Sequence, residues 1–127
     1  MKKIIFSIIL MLMPRGMAFA QDVVGKWNLE DGTAIVEVYK SGDAFNGKIV
    51  WLANPTDADG APAVDSNNPD KPLRSRKLIG LNMLSGLKAD GGEYSGGKIY
   101  DPGNGKTYNC SMKVEGKGLK VRGSLDK

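Results

Sequence analysis

The chain has 127 residues, no histidine and one cysteine, and its formal charge of +4 comes from 18 basic and 14 acidic side chains. Without histidine there is no Ser-His-Asp triad, no Cys-His pair and no histidine-based zinc site. One cysteine builds neither a cysteine-rich metal site nor an intrachain disulfide, so a single modest core must carry the fold.

The first twenty residues read as an export leader. Lys2 and Lys3 make a positive start, residues 4–13 form an apolar run broken only by Ser7, and Ala18-Phe19-Ala20 fits the small-x-small cleavage pattern. The mature chain is therefore expected to begin at Gln21. The apolar run is shorter than the roughly 20 residues of a membrane span, and no cysteine follows it to carry a lipid. These features predict a periplasmic protein with no stable membrane insertion after cleavage. Lys2, Lys3 and Arg15 leave with the leader, so 15 basic residues then face 14 acidic ones. The densest basic group, Lys71, Arg74, Arg76 and Lys77, lies beside Asp65 and Asp70, and no nucleic-acid partner is expected.

Beyond the leader, sixteen glycines separate short runs of alternating apolar and polar residues, the pattern of strands joined by tight turns. Residues 23–29 contain Gly25-Lys26-Trp27 and end at the turn Glu30-Asp31-Gly32. Residues 33–40 put Ala34, Val36 and Val38 on one face and Ile35, Glu37 and Tyr39 on the other. Residues 47–52 place Ile49 and Trp51 together on one side. Residues 53–72 break the rhythm with the turn formers Asn54-Pro55, Asp59-Gly60 and Asn68-Pro69-Asp70. A loop of that length in a small domain is often functional.

In residues 73–87, Leu78, Ile79, Leu81, Met83, Leu84 and Leu87 fit neither period cleanly, and the segment is expected to be a strand followed by a short helical turn. Residues 94–101 and 106–114 flank a four-residue hairpin connection, Pro102-Gly103-Asn104-Gly105. Cys110 alternates there with Tyr108, Met112 and Val114 and reads as a buried small hydrophobe. Residues 119–125 point Leu119, Val121 and Leu125 inward and Lys120, Arg122 and Ser124 outward. About seven strands, mostly sequential neighbours, predict an all-β fold, a small antiparallel meander or barrel.

Local motifs add little chemistry. Ser85 with Lys88, Ser95 with Lys98 and Ser124 with Lys127 match S-x-x-K, at the frequency chance supplies in a lysine-rich chain. Gly103-Asn104-Gly105-Lys106-Thr107 resembles the end of a phosphate-binding loop, but Tyr100 stands where that pattern has glycine and a strand follows where it needs a helix. Asp57, Asp59, Asp65, Asn67, Asn68 and Asp70 offer hard oxygen ligands; their spacing is wrong for a calcium hand, and they read as turn formers. A carboxylate pair from this loop and Asp101 would suit glycoside hydrolysis only if the two faced each other across a cleft. No metal or cofactor is expected.

Three segments together resemble a bacterial exported family, domain of unknown function 2147. They are Gly25-Lys26-Trp27 with Gly47-Lys48-Ile49-Val50-Trp51; Asp65-Ser66-Asn67-Asn68-Pro69-Asp70 running on to Leu73-Arg74-Ser75-Arg76 and Gly80; and Gly96-Gly97-Lys98-Ile99-Tyr100-Asp101-Pro102 with Gly105-Lys106-Thr107-Tyr108 and Leu119-Lys120-Val121-Arg122-Gly123. The resemblance implies a periplasmic lipocalin-like β-barrel and no established activity. The G-x-W triplet is similar to the signature that opens lipocalin barrels, where the tryptophan plugs one end. Members usually continue past V-R-G into another strand, so the barrel here is expected to lack a closing C-terminal strand and to leave two edges unpaired.

The function expected is that of a binding module for a small apolar or amphipathic ligand. Its open end would lie near Trp51, Tyr100 and Tyr108, with Asp65, Asn68, Arg74 and Arg76 on the loop and Asp101 beside them, and Gly25, Trp27 and Cys110 would be structural. The alternatives are an envelope interaction or structural module with a filled barrel, whose partner is another envelope protein, and a carboxylate-based hydrolase.

Overall fold

A computed structural model describes residues 5–12, 23–116 and 118–124. Its strands are β1 (Ile5–Leu12), β2 (Gly25–Leu29), β3 (Ala34–Ser41), β4 (Ala44–Leu52), β5 (Asn82–Asp90), β6 (Glu93–Asp101), β7 (Lys106–Glu115) and β8 (Gly118–Ser124). Each is antiparallel to the next, and β8 returns to β1. The seven strands expected after the leader are β2 to β8. They curl into a barrel wall whose two edges, β2 and β8, are both paired by β1: Leu10 stands opposite Leu29 on one side and opposite Leu119 on the other. The edges expected to be unpaired are thus closed, by the apolar run read as part of the leader. That run is rich in isoleucine and free of proline and glycine, a composition that suits a strand as well as an export signal. Ala18-Phe19-Ala20 and Leu125 lie outside the described residues.

Period-two alternation fills the interior. Val36 and Val38 from β3, Leu84 and Leu87 from β5, Ile99 from β6, Tyr108, Cys110 and Met112 from β7, and Leu119 and Val121 from β8 form one buried cluster with Val23 and Trp27. Gly25 enters β2 buried, and the Trp27 indole Nε1 donates to the Val23 carbonyl at 2.9 Å, so the ring is sealed with its one polar atom satisfied. Phe45 and Tyr94, edge to face with centroids 5.1 Å apart, pack against the cluster beside the β3–β4 and β5–β6 turns. Burial pushes the Cys110 thiol up to about 12, as befits a core residue.

Register shifts account for two departures from the sequence pattern. Ile35 pairs with Trp51 but Val36 pairs with Ile49, so Val50 is an extra residue in β4. The bulge reverses the inside–outside order: Ile49 is 3% exposed and Trp51 48% exposed, instead of the two sharing a side. In residues 73–87 the expected order of strand and helical turn is inverted. Pro72 helps to start a 3-10 helix at Lys71–Ser75, and the strand comes afterwards as β5. Along β5, Phe45 pairs with Leu87 and Gly47 with Leu84, which leaves a bulge containing Gly86 at φ +72°. The two buried leucines therefore stand three apart rather than two, which disguised the strand.

Strands β5 and β6 cross closely at Gly97. A Cβ there would lie 2.5 Å from the Ser85 carbonyl oxygen and 2.6 Å from Leu87 Cγ. Gly97→Ala is expected to lose about 2–3 kcal/mol in urea unfolding, through overpacking alone.

Candidate ligand-binding site

The long connection between β4 and β5 sets the site. It is stitched back on itself by the bridges Thr56–Pro62 and Val64–Lys77, and onto β4 by Gly80 N–H to the Ile49 carbonyl at 2.7 Å. Asn67 Nδ2 donates to the carbonyls of Pro102 at 2.9 Å and Gly103 at 3.1 Å, which ties the loop to the β6–β7 hairpin. Gly105, at φ +73°, makes that docking feasible, because a methyl group there would overlap the Asn67 carbonyl.

Beneath the loop lies Asp65, fully buried. Its Oδ1 accepts from the Tyr100 hydroxyl at 2.6 Å, and its Oδ2 accepts from Asn68 Nδ2 at 2.8 Å and Arg76 Nε at 3.1 Å. Desolvation works to raise the pKa of this carboxyl, but the bonds from Asn68, Tyr100 and Arg76 and the charge of Arg76 outweigh it and hold it below the ordinary value. The Tyr100 phenol is pushed up to about 12 by its own burial and by its bond to the carboxylate. Arg74 Nε donates to the Asn68 carbonyl at 2.6 Å, and the Arg76 guanidinium sits 5.9 Å from the Tyr100 ring centroid.

The expected loop residues Asp65, Asn68, Arg74 and Arg76 therefore gather with Tyr100. They do so on the outer wall, because Tyr100 follows the inward-facing Ile99 on β6. Tyr108 faces the interior, where its hydroxyl accepts from Asn104 Nδ2 at 2.9 Å. Asp101 Oδ1 accepts from Gly103 N–H at 2.8 Å and shapes the hairpin turn. Trp51 joins neither group. The engaged, acid-shifted Asp65 is the reverse of a general acid, whose pKa must be raised. Asp57 Oδ1 accepts from the N–H groups of Asp59 and Ala61 at 2.9 and 3.0 Å, the geometry of a turn former.

Two cavities flank this arrangement. The first, of about 280 Å³, opens at the barrel mouth and is lined by Leu29, Thr33, Ala34, Ile49, Leu52, Leu78, Met83, Ile99, Asp101 and Pro102. The second, of about 340 Å³, lies on the outer wall under the loop and is lined by Asn68, Pro69, Arg76, Asn82, Met83, Ser85, Lys98, Tyr100, Gly105 and Thr107. Met83 borders both. Of the residues predicted for the site, Asp101 reaches the mouth and Asn68, Arg76 and Tyr100 reach the outer cleft. The apolar mouth residues were missed because each reads as ordinary core. The usable signal was their shared place at the strand ends, with small Ala34 among larger neighbours.

A family profile described as "Uncharacterized protein conserved in bacteria (DUF2147)" matches residues 25–127, starting at the first residue of β2. Among solved structures the chain is similar to "Protein HP1028 from the human pathogen Helicobacter pylori belongs to the lipocalin family". That likeness has 26% identity and a TM-score of 0.62, and covers 94% of this chain and 71% of that one. No curated protein matches the chain.

Tyr100→Phe leaves Asp65 Oδ1 short of a donor and is expected to cost about 1–3 kcal/mol at neutral pH. The raised phenol pKa stabilises the fold fully below the unfolded value of about 10, and that contribution is lost as pH rises toward the folded value of about 12. The difference between wild type and Tyr100→Phe should therefore shrink above about pH 10 in denaturant titrations. The lowered Asp65 pKa works in the other direction. Its contribution is complete above the unfolded carboxyl value of about 4 and is lost as pH falls through the folded one.

Proposed function

The chain belongs to the bacterial DUF2147 family, and on its lipocalin-like barrel we propose that it is a binding module for a small apolar or amphipathic ligand seated in the barrel mouth. The observation that carries this is the mouth cavity itself. Seven of its ten lining residues, Leu29, Ala34, Ile49, Leu52, Leu78, Met83 and Ile99, are apolar, with Thr33 and Asp101 at hand to orient a polar end. Small barrels of about eight strands have room for one small ligand, as in lipocalins, and the likeness to a lipocalin-family protein supports the same use here.

Much of the interior is packed, with Val36, Leu84 and Tyr108 in one buried cluster. At about 280 Å³ the mouth cavity stands at the lower end of ligand pockets, which run from about 300 to 1,000 Å³. A short acyl chain or a single ring fits better than a long lipid. Burial of about 150–200 Å² of such a ligand yields roughly 4–5 kcal/mol, which places Kd at about 0.2–1 mM. The activity proposed is binding without catalysis. Every residue lining the mouth lies between Leu29 and Pro102, so a periplasmic form that has lost β1 with the leader keeps them all, and that location suits a carrier of poorly soluble molecules. The packed interior favours a second reading, a filled barrel acting as an envelope interaction module, which gives no response to small ligands.

Displacement of anilinonaphthalene sulfonate from the full chain by decanol separates the two. Ala34→Phe fills the mouth and is expected to weaken decanol binding at least about tenfold, more than 1.4 kcal/mol. Equal binding by wild type and Ala34→Phe, or none by either, would overturn the carrier.

A further inference from the structure

The outer cleft under the loop has a chemistry of its own. Among the described residues no aspartate or glutamate lines it, while Arg76 and Lys98 both do. The nearby Asp65 carboxylate lies behind the wall, fully buried, with both oxygens engaged. Arg76 gives that carboxylate only its Nε, so the two terminal nitrogens of its fork remain for another acceptor. Lys98 Nζ spends one donor on Asn109 Oδ1 at 2.6 Å and has two more. Asn82 accepts from the Tyr39 hydroxyl through Oδ1 at 2.7 Å, which leaves its Nδ2 as a donor, and the hydroxyls of Ser85 and Thr107 complete the wall.

Met83 is where the cleft meets the mouth. The β5–β6 ladder has Leu84–Ile99 as its last register pair toward the mouth, so Met83 stands beyond the paired region, bordering the polar cavity on one side and the apolar cavity on the other. A methionine is the side chain most able to shift aside there.

We infer that the outer cleft is an oxyanion subsite, which takes the carboxylate or phosphate end of the ligand whose apolar part occupies the mouth, with Met83 as the movable partition. This rests on the mouth being a binding site and specifies the ligand class as an amphipathic anion. Guanidinium and ammonium donors, with hydroxyls between them and the Asp65 carboxylate already engaged behind Arg76 and Tyr100, suit a carboxylate or a phosphate equally.

The test uses the full chain with three probes, decanoate, decanol and inorganic phosphate, and three variants, Lys98→Met, Lys98→Glu and Ala34→Phe. Lys98 is exposed, so both of its substitutions spare the fold; Arg76 is avoided because its loss would strand the buried Asp65. Decanoate should bind about five- to tenfold tighter than decanol. Lys98→Met should reduce that advantage and Lys98→Glu abolish it, with decanol binding unchanged, while Ala34→Phe weakens both. Decanoate and decanol binding equally, or losing equally in Lys98→Glu, overturns the subsite and leaves the mouth standing. Phosphate binding that Lys98→Glu removes, with neither decanoate nor decanol responding to Ala34→Phe, overturns both the joint ligand and the mouth, and leaves a separate site for free oxyanions.

Discussion

A carboxylate taken out of water must be met by donors, and Asp65 meets three, each from a different part of the chain. Tyr100 comes from the barrel wall, Asn68 from the turn that follows, and Arg76 from beyond the 3-10 helix. That convergence fixes a loop that otherwise lacks a core. With the loop held, Leu78 reaches the mouth cavity and Arg76 the outer one. Replacing Arg76 or Tyr100 would leave a buried charge short of partners, so each member of the cluster is needed, as buried ionic groups require.

The inside–outside alternation of the strands does the rest. It carries Tyr108, Cys110 and Met112 into the core and Lys98 and Tyr100 to the exterior. Most of this was legible in the residues. The alternation in β3, β7 and β8, the glycine-marked turns and the hairpin at residues 102–105 all stand where the pattern puts them. What escaped detection was each point where one residue is inserted into a strand. Val50 turned Trp51 outward, and the bulge at Gly86 gave β5 a spacing that belongs to neither a strand nor a helix. An inserted residue leaves composition unchanged and alters only the pairing across strands, which a single sequence does not contain.

The site divides along the same line. Asp65, Asn68, Arg74 and Arg76 were recognisable together because they share one long loop, and the structure joins Tyr100 from the end of β6 to them. Tyr108, Asp101 and Trp51 were placed with them by proximity in sequence to strand ends, and the alternation sends them elsewhere. Leu29, Ala34 and Leu52 could not be singled out, since whether an inward residue touches another side chain or empty space depends on where the packing stops. Resemblance to a barrel family supplied the overall shape and left that boundary undetermined.

The pairing of β1 with β8 has a bearing on how the chain reaches this state. Ile5 meets Ser124, so the contact joins residues 119 positions apart in the sequence. Every other strand pairs with a sequential neighbour, and those local contacts form before the chain ends must find each other; contacts of such large sequence separation are slow to form. Until β8 has been made, the isoleucine-rich segment lacks one of its two sheet partners. Whatever recognises an emerging apolar stretch therefore acts ahead of β8, and the fate of residues 5–12 becomes a contest of rates, decided before the barrel has the means to close.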